Sequence, residues 1–194
     1  MMNTFDQIKT QAALEKIPSM TQDGLFYCEH LIISQSIRTV LEIGTGHGIW
    51  SIHMALACSN LKITSLELLE KRVKIALMNV SQLGLDHRIN IIHCDALNYT
   101  PNETYDLILI DGPKSQNKVL FERYLPYLNP KGYVLVDNMN FHGETKNEGL
   151  TQSRDLKQMV RKINAFNDWA HHQSDLSVQS LELGDGLMLI SRKY

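Results

Sequence analysis

The stretch Thr39-Val-Leu-Glu-Ile-Gly-Thr-Gly-His-Gly48 limits the possible folds of this 194-residue chain more than any other. Val40, Leu41 and Ile43 form a short apolar strand pattern that runs straight into three glycines on alternate positions, Gly44, Gly46 and Gly48. Ile49 then opens an apolar helical pattern. Strand, glycine turn and helix in that order begin a βαβ unit. Glycine lets the backbone take positive φ and come close to a ligand with no Cβ in the way, and the helix start offers unpaired N–H groups. The turn therefore reads as a nucleotide cradle.

Spacing decides which nucleotide. A dinucleotide fingerprint needs G-x-G-x-x-G, so that a diphosphate can rest on the helix N-terminus; here the spacing is G-x-G-x-G. Glu42 is an awkward charge beside a diphosphate but suits a cationic or amino-bearing ligand. Glu-x-Gly-x-Gly-x-Gly after a first strand resembles the signature of class I S-adenosylmethionine-dependent methyltransferases, whose ligand carries an ammonium and a sulfonium. The resemblance implies an α/β, Rossmann-like fold with a mainly parallel, doubly wound sheet. It puts Glu42, Gly44, Thr45, Gly46 and Gly48 against the methyl donor.

The 43% hydrophobic content and formal charge of −2 suit one globular domain over residues 1–194, and argue against a polyanion binder by bulk charge. The first twenty residues are polar and mixed in charge, with no run near the ~18 apolar residues of a membrane span, so the expectation is a soluble, cytoplasmic protein. Cys28, Cys58 and Cys94 form no C-x-x-C pair, which makes a disulfide framework or a zinc cluster a poor explanation.

Residues 1–37 read as an N-terminal helical cap interrupted at Pro18, serving as a lid or an oligomer contact; a homodimer is one expectation. Ile49 to Ala57 is helical, and Lys62 to Leu66 is a second strand ending at Glu67. In a doubly wound sheet an acid about twenty residues past the glycine loop can accept both ribose hydroxyls, a role the spacing favours for Glu67, with capping of the next helix as a compatible alternative. A helix with Val73, Leu77, Val80 and Leu83 on its apolar face closes at Gly84. Ile89 to His93 is strand three, and it runs into Cys94-Asp95-Ala96. There the resemblance implies contact with adenine, with Asp95 accepting from the amino group; simple turn chemistry is the alternative for Asp95.

Asp106 to Ile110 is a nearly continuous apolar run, as expected for a parallel strand covered on both faces. A helix over Leu120–Leu128, a turn at Asn129-Pro-Lys-Gly132 and a fifth strand over Tyr133–Val136 follow. Met139 to Leu150, with Gly143 and Gly149, reads as a polar mobile loop. Ser153 to Trp169 is a last long helix, and Leu176–Leu183 and Leu187–Ser191 form an antiparallel hairpin across Gly184-Asp185-Gly186 at the sheet edge.

Strands four and five should be neighbours, about 4.8 Å apart, so that Asp111, Asp137 and Asn138 converge at their ends beside the sulfonium. Two carboxylates and an amide make a hard-oxygen partial shell that suits Mg²⁺, with Mn²⁺ or Ca²⁺ as substitutes, far better than zinc. Each residue also has a plain turn explanation taken singly.

Ile-Asp-Gly-Pro-Lys114, Leu-Val-Asp-Asn138, Asn-Phe-His-Gly143 and the closing Gly-Asp-Gly186-Leu resemble the bacterial branch of the metal-dependent O-methyltransferases of the catechol and caffeoyl-coenzyme A type. That resemblance implies metal binding by Asp111, Asp137 and Asn138, a further contact of Asp111 with the donor, and Lys114 as general base. Asp111 and Lys114 are thus the catalytic candidates. The acceptor it implies is a small hydroxylated aromatic molecule. His47 and His142 are expected to be exposed loop histidines. One bacterial branch of the family methylates 5-hydroxyuridine at the tRNA wobble position, and Ala-Phe-Asn-Asp-Trp169 with Gly-Asp-Gly186-Leu is similar to it. Arg154, Lys157, Arg161 and Lys162 would then form a phosphate patch for a tRNA anticodon. A non-catalytic binding module for the donor is the reading from another class, with NAD chemistry behind it.

Overall fold

The computed structural model describes residues 4–140 and 153–193. The chain divides into two compact units, Met1–Asn102 and Glu103–Tyr194. The expected loop over residues 139–150, with His142, Gly143 and Gly149, lies outside the described residues apart from Met139 and Asn140 at its start.

In the first unit, helices α1 (Thr4–Leu14) and α2 (Gln22–Ser34) precede strand β1 (Thr39–Ile43), α3 (Ile49–Ala57), β2 (Lys62–Glu67), α4 (Glu70–Gln82) and β3 (Ile89–His93). The three strands are parallel in the order β3-β2-β1. The central strand β2 buries every residue after Lys62, including Thr64, Ser65 and Glu67. Those three polar groups must find partners in the interior, because an unpaired buried polar group costs about 1–3 kcal/mol.

The buried face of α4 departs from the expected stripe. Val73, Ala76, Asn79 and Val80 face inward, whereas Leu77 is exposed. The reason is the glycine turn: a Cβ on Gly48 would lie 3.6 Å from Cβ of Ala76, and Asn79 Nδ2 donates to the carbonyl of His47 at 2.9 Å. A small residue and a hydrogen-bonding one take the inward places because the helix packs against a backbone turn there.

The second unit holds β4 (Tyr105–Ile110), a 3-10 turn (Lys114–Gln116), α5 (Asn117–Tyr124), β5 (Leu128–Val136), α6 (Arg154–His171), β6 (Leu176–Leu181) and β7 (Leu187–Arg192). Strand order is β4-β5-β7-β6, with β4 and β5 parallel and β7 antiparallel to both its neighbours. The hairpin thus inserts its second strand beside β5 and leaves β6 outermost. Ile108, Leu109, Leu120 and Phe121 are buried, each contributing about 1.5–3 kcal/mol. Phe166 of α6 packs on Phe121 with ring centroids 6.0 Å apart.

Two boundaries move here. The Asn129–Gly132 turn lies inside β5, and the pairing jumps from Tyr105↔Leu128 to Leu107↔Tyr133. Asn129 Nδ2 donates to Asp106 Oδ1 at 2.7 Å and ties the bulged residues to β4. Helix α5 begins at Asn117, not Leu120, because the 3-10 turn after Pro113 feeds directly into it.

Candidate active site

In the first unit, Gly44, Gly46 and Gly48 all take positive φ, at 102°, 56° and 81°. An ordinary side chain would be strained at each. The amides of Gly44 and Thr45 point back to the carbonyl of Leu66, at 2.9 and 3.3 Å. The amide of Gly46 instead donates to Oε2 of Glu67 at 2.9 Å, while Glu67 Oε1 accepts from the amide of Leu69, also at 2.9 Å. Glu67 therefore stands at the tip of β2 against the glycine turn, the position expected of it.

Glu42 is 1% exposed. The hydroxyls of Ser51 and Ser65 both donate to its Oε2, and Thr45 Oγ1 lies 2.6 Å from Ser65 Oγ. With the proton of Ser65 directed at Glu42, the run reads Thr45 to Ser65 to Glu42. Ser65 faces Glu42 across the parallel register of β1 and β2, and Ser51 comes from the first turn of α3. Such hydroxyls let a carboxylate stay in the interior.

His47 is not the exposed loop histidine expected. It is 3% exposed, and its Nε2 lies 3.7 Å from a Glu15 carboxylate oxygen. Burial pushes the His47 pKa down, with Glu15 pulling the other way. The segment after α1 lies along the same turn, since a Cβ on Gly46 would lie 3.5 Å from Ile17 Cγ2 and 4.0 Å from the carbonyl of Pro18. Asp95 spends its carboxylate on its own loop, accepting from the amide of Leu97 at 2.8 Å and from Asn98 Nδ2 at 3.3 Å. Ala96 follows in the same loop, half-buried.

In the second unit, the parallel register pairs Ile110 with Val136, so the next residues, Asp111 and Asp137, leave neighbouring strand ends together. Asp111 Oδ1 accepts from Lys114 Nζ at 2.8 Å and from Asn138 Nδ2 at 3.4 Å. Asp137 Oδ1 accepts from the amide of Asn138 at 2.6 Å. Asn138 itself has φ 62°, which turns its side chain back towards the strand ends. Asp137 is 4% exposed; its pKa is pushed up to about 7, by burial first and then by the charge of Asp111, with Lys114 and the Asn138 amide opposing.

Among the described residues no group of three or more His, Cys, Asp or Glu side chains could hold a metal; the third oxygen here is an amide. The set nonetheless fits a hard divalent cation. Asp111 and Asp137 lie close together, burial and the charge of Asp111 drive Asp137 towards its neutral form, and a half-turn of the Asn138 amide presents Oδ1 in place of Nδ2.

An O-methyltransferase family profile matches residues 1–193. The chain belongs to the O-methyltransferase family. A Staphylococcus aureus protein assigned provisionally as a caffeoyl-CoA O-methyltransferase is similar to this O-methyltransferase with TM-score 0.94 and 28% identity, over 99% of this chain and 93% of that one. A Bacillus cereus O-methyltransferase in complex with SAH shares the fold with TM-score 0.84 at 24% identity, over 100% of this chain and 92% of that one. Tapetum-specific methyltransferase 1 of Arabidopsis thaliana is 24% identical over 199 residues, spanning 94% of this chain and 83% of that protein. The fold is the Rossmann-like methyltransferase fold, with the C-terminal antiparallel strands expected from the sequence. Among the described residues no helix is long and apolar enough to cross a membrane.

Within each unit the structure groups the predicted residues. Glu42, Gly44, Thr45, Gly46, Gly48 and Glu67 of the O-methyltransferase gather around one turn, and Asp111, Lys114, Asp137 and Asn138 around one pair of strand ends. His142 and most of Asn-Phe-His-Gly143 lie outside the described residues. Sequence reasoning missed Ser51 and Ser65, the partners of Glu42. The signal for Ser65 was present: parallel neighbours in register set it opposite Glu42.

Proposed function

We propose that this O-methyltransferase uses S-adenosylmethionine and a divalent cation, Mg²⁺ or Mn²⁺, to methylate a hydroxyl of a small catechol-like acceptor. The observation that carries the reading is the meeting of Asp111, Asp137 and Asn138 at the ends of β4 and β5, with Lys114 2.8 Å from Asp111.

S-adenosylmethionine, when bound, supplies an electrophilic methyl group. Gly46 and Gly48 would give it a surface without Cβ atoms, Glu42 and Thr45 a polar floor, Glu67 an acceptor for ribose hydroxyls, and Asp95 with Ala96 the adenine end. A cation held by Asp111, Asp137 and Asn138 would supply Lewis acidity that lowers the pKa of the acceptor hydroxyl. Lys114, in its amine form, would take the hydroxyl proton at Nζ. Asp111 holds that Nζ in place and so orients the base.

A second reading has its own observation. On α6, Arg154, Arg161 and Lys162 are exposed and Lys157 is half-buried, a basic stretch that fits a phosphate backbone and so a tRNA anticodon acceptor. Incubation with labelled S-adenosylmethionine, Mg²⁺, and either a catechol panel or hypomodified tRNA separates the two. Label in a catechol O-methyl ether supports the small acceptor. Label in tRNA alone, weakening steeply with salt, replaces it with the second reading.

A further inference from the structure

The hairpin between β6 and β7 needs only a turn at Gly184-Asp185-Gly186, but the backbone there does something more. The carbonyl of Gly186 accepts the amide of Met139 at 2.9 Å, and the carbonyl of Asp185 accepts the amide of Asn140 at 2.8 Å. Met139 is buried and is also touched by Asn117, whose Nδ2 lies 3.8 Å from its Sδ. The two residues that follow Asn138 are thus fastened by two separate elements. Gly186 has φ 85°, and a Cβ on it would lie 2.7 Å from both the backbone nitrogen and Cγ of Asn140. Only glycine lets the turn lie this close.

We propose that the Gly184–Gly186 turn is a positioning element for the cation site: by holding Met139 and Asn140 it fixes the left-handed backbone of Asn138 and aims its amide at Asp111. The inference rests on reading Asp111, Asp137 and Asn138 as cation ligands. Strand pairing brings the two aspartates to neighbouring ends, since Ile110 and Val136 are in register. Asn138 lies past the last paired residue, at φ 62°, and a free asparagine would spend most of its time elsewhere. Ligand geometry set from outside the ligand shell commonly decides metal affinity. Displacing the turn should therefore remove one oxygen donor of three and leave the carboxylates in place.

The test is Gly186→Ala in the full chain, with Mn²⁺ binding followed by electron paramagnetic resonance, donor binding by calorimetry, and melting as a check on folding. The expected result is about a tenfold weaker Mn²⁺ affinity, S-adenosylmethionine affinity within about twofold of the parent, and a rise in the Mg²⁺ activation constant that exceeds any fall in kcat. Unchanged Mn²⁺ affinity overturns the proposal. Should Gly186→Ala fail to fold, Gly184→Val strains the same turn at φ 55° without touching Gly186. A several-fold weakening of Mn²⁺ then supports the proposal, and none overturns it. A parent chain that takes up no Mn²⁺ at all brings down the cation-site reading itself, an outcome distinct from a parent that binds and a variant that binds equally well.

Discussion

The glycine turn of the first unit and the strand ends of the second are both acidic, yet they treat their charges in opposite ways. At the turn each acid is settled by the protein: Glu42 by the hydroxyls of Ser51 and Ser65, Glu67 by the amides of Gly46 and Leu69. At the strand ends Lys114 pairs with Asp111, and Asp137 is pushed up to about 7 by burial and by the charge of Asp111. The acids of the turn are met by neutral hydroxyls and amides. The acids of the strand ends lie close enough to raise one another's cost of ionising. On the proposed reading the turn seats the bulky donor and the strand ends draw in a cation.

The largest expected effect that separates the two comes from Gly46→Val. A β-branched residue at φ 56° is strained, and its Cβ would lie 3.5 Å from Ile17 Cγ2. That strain, about 1–3 kcal/mol, should weaken S-adenosylmethionine about tenfold to a hundredfold with Mn²⁺ affinity unchanged. Calorimetry with each ligand in turn checks it. Equal loss of both would break the separation drawn here.

A smaller effect lies in the pH dependence of stability without metal. Asp137 titrates at about 7 in the folded chain against 3.8 for an ordinary aspartate, so between those values the folded chain holds more protons than the unfolded one. Stability from this group is therefore full below 3.8 and is lost as pH rises through about 7. In chelator the Tm should fall by a few degrees as pH rises from about 5 to about 7, and Asp137→Asn should flatten the slope. Thermal melting in a pH series decides it; a parent slope equal to that of the variant would mean Asp137 is not the strained acid.

Much of this was legible in the sequence because it is local or follows from register. Three alternate glycines after an apolar strand announced a turn with positive φ. Two apolar runs, each ending in aspartate, announced Asp111 beside Asp137 once the strands were parallel neighbours. What escaped was long-range. The turn residues around His47 predict an exposed side chain, whereas Ile17 and Pro18 lie along the turn at Gly46 and Glu15 reaches His47 itself from some thirty positions earlier. Leu77 was put on the inner face of α4 by periodicity alone, which cannot see that a backbone turn prefers Ala76 and Asn79. The clasp of Asp185 and Gly186 on Met139 and Asn140 joins segments more than forty residues apart, and no local pattern encodes it.

The measurement that bears most directly on the whole account is the initial rate of methyl transfer from S-adenosylmethionine in excess Mg²⁺, in chelator, and after Mg²⁺ is restored, for the parent and for Asp137→Ala. The rate should fall to background in chelator, return with Mg²⁺ in the parent, and stay at background in the variant while donor binding persists. A rate that chelator leaves untouched, or an Asp137→Ala chain as active as the parent, would contradict it.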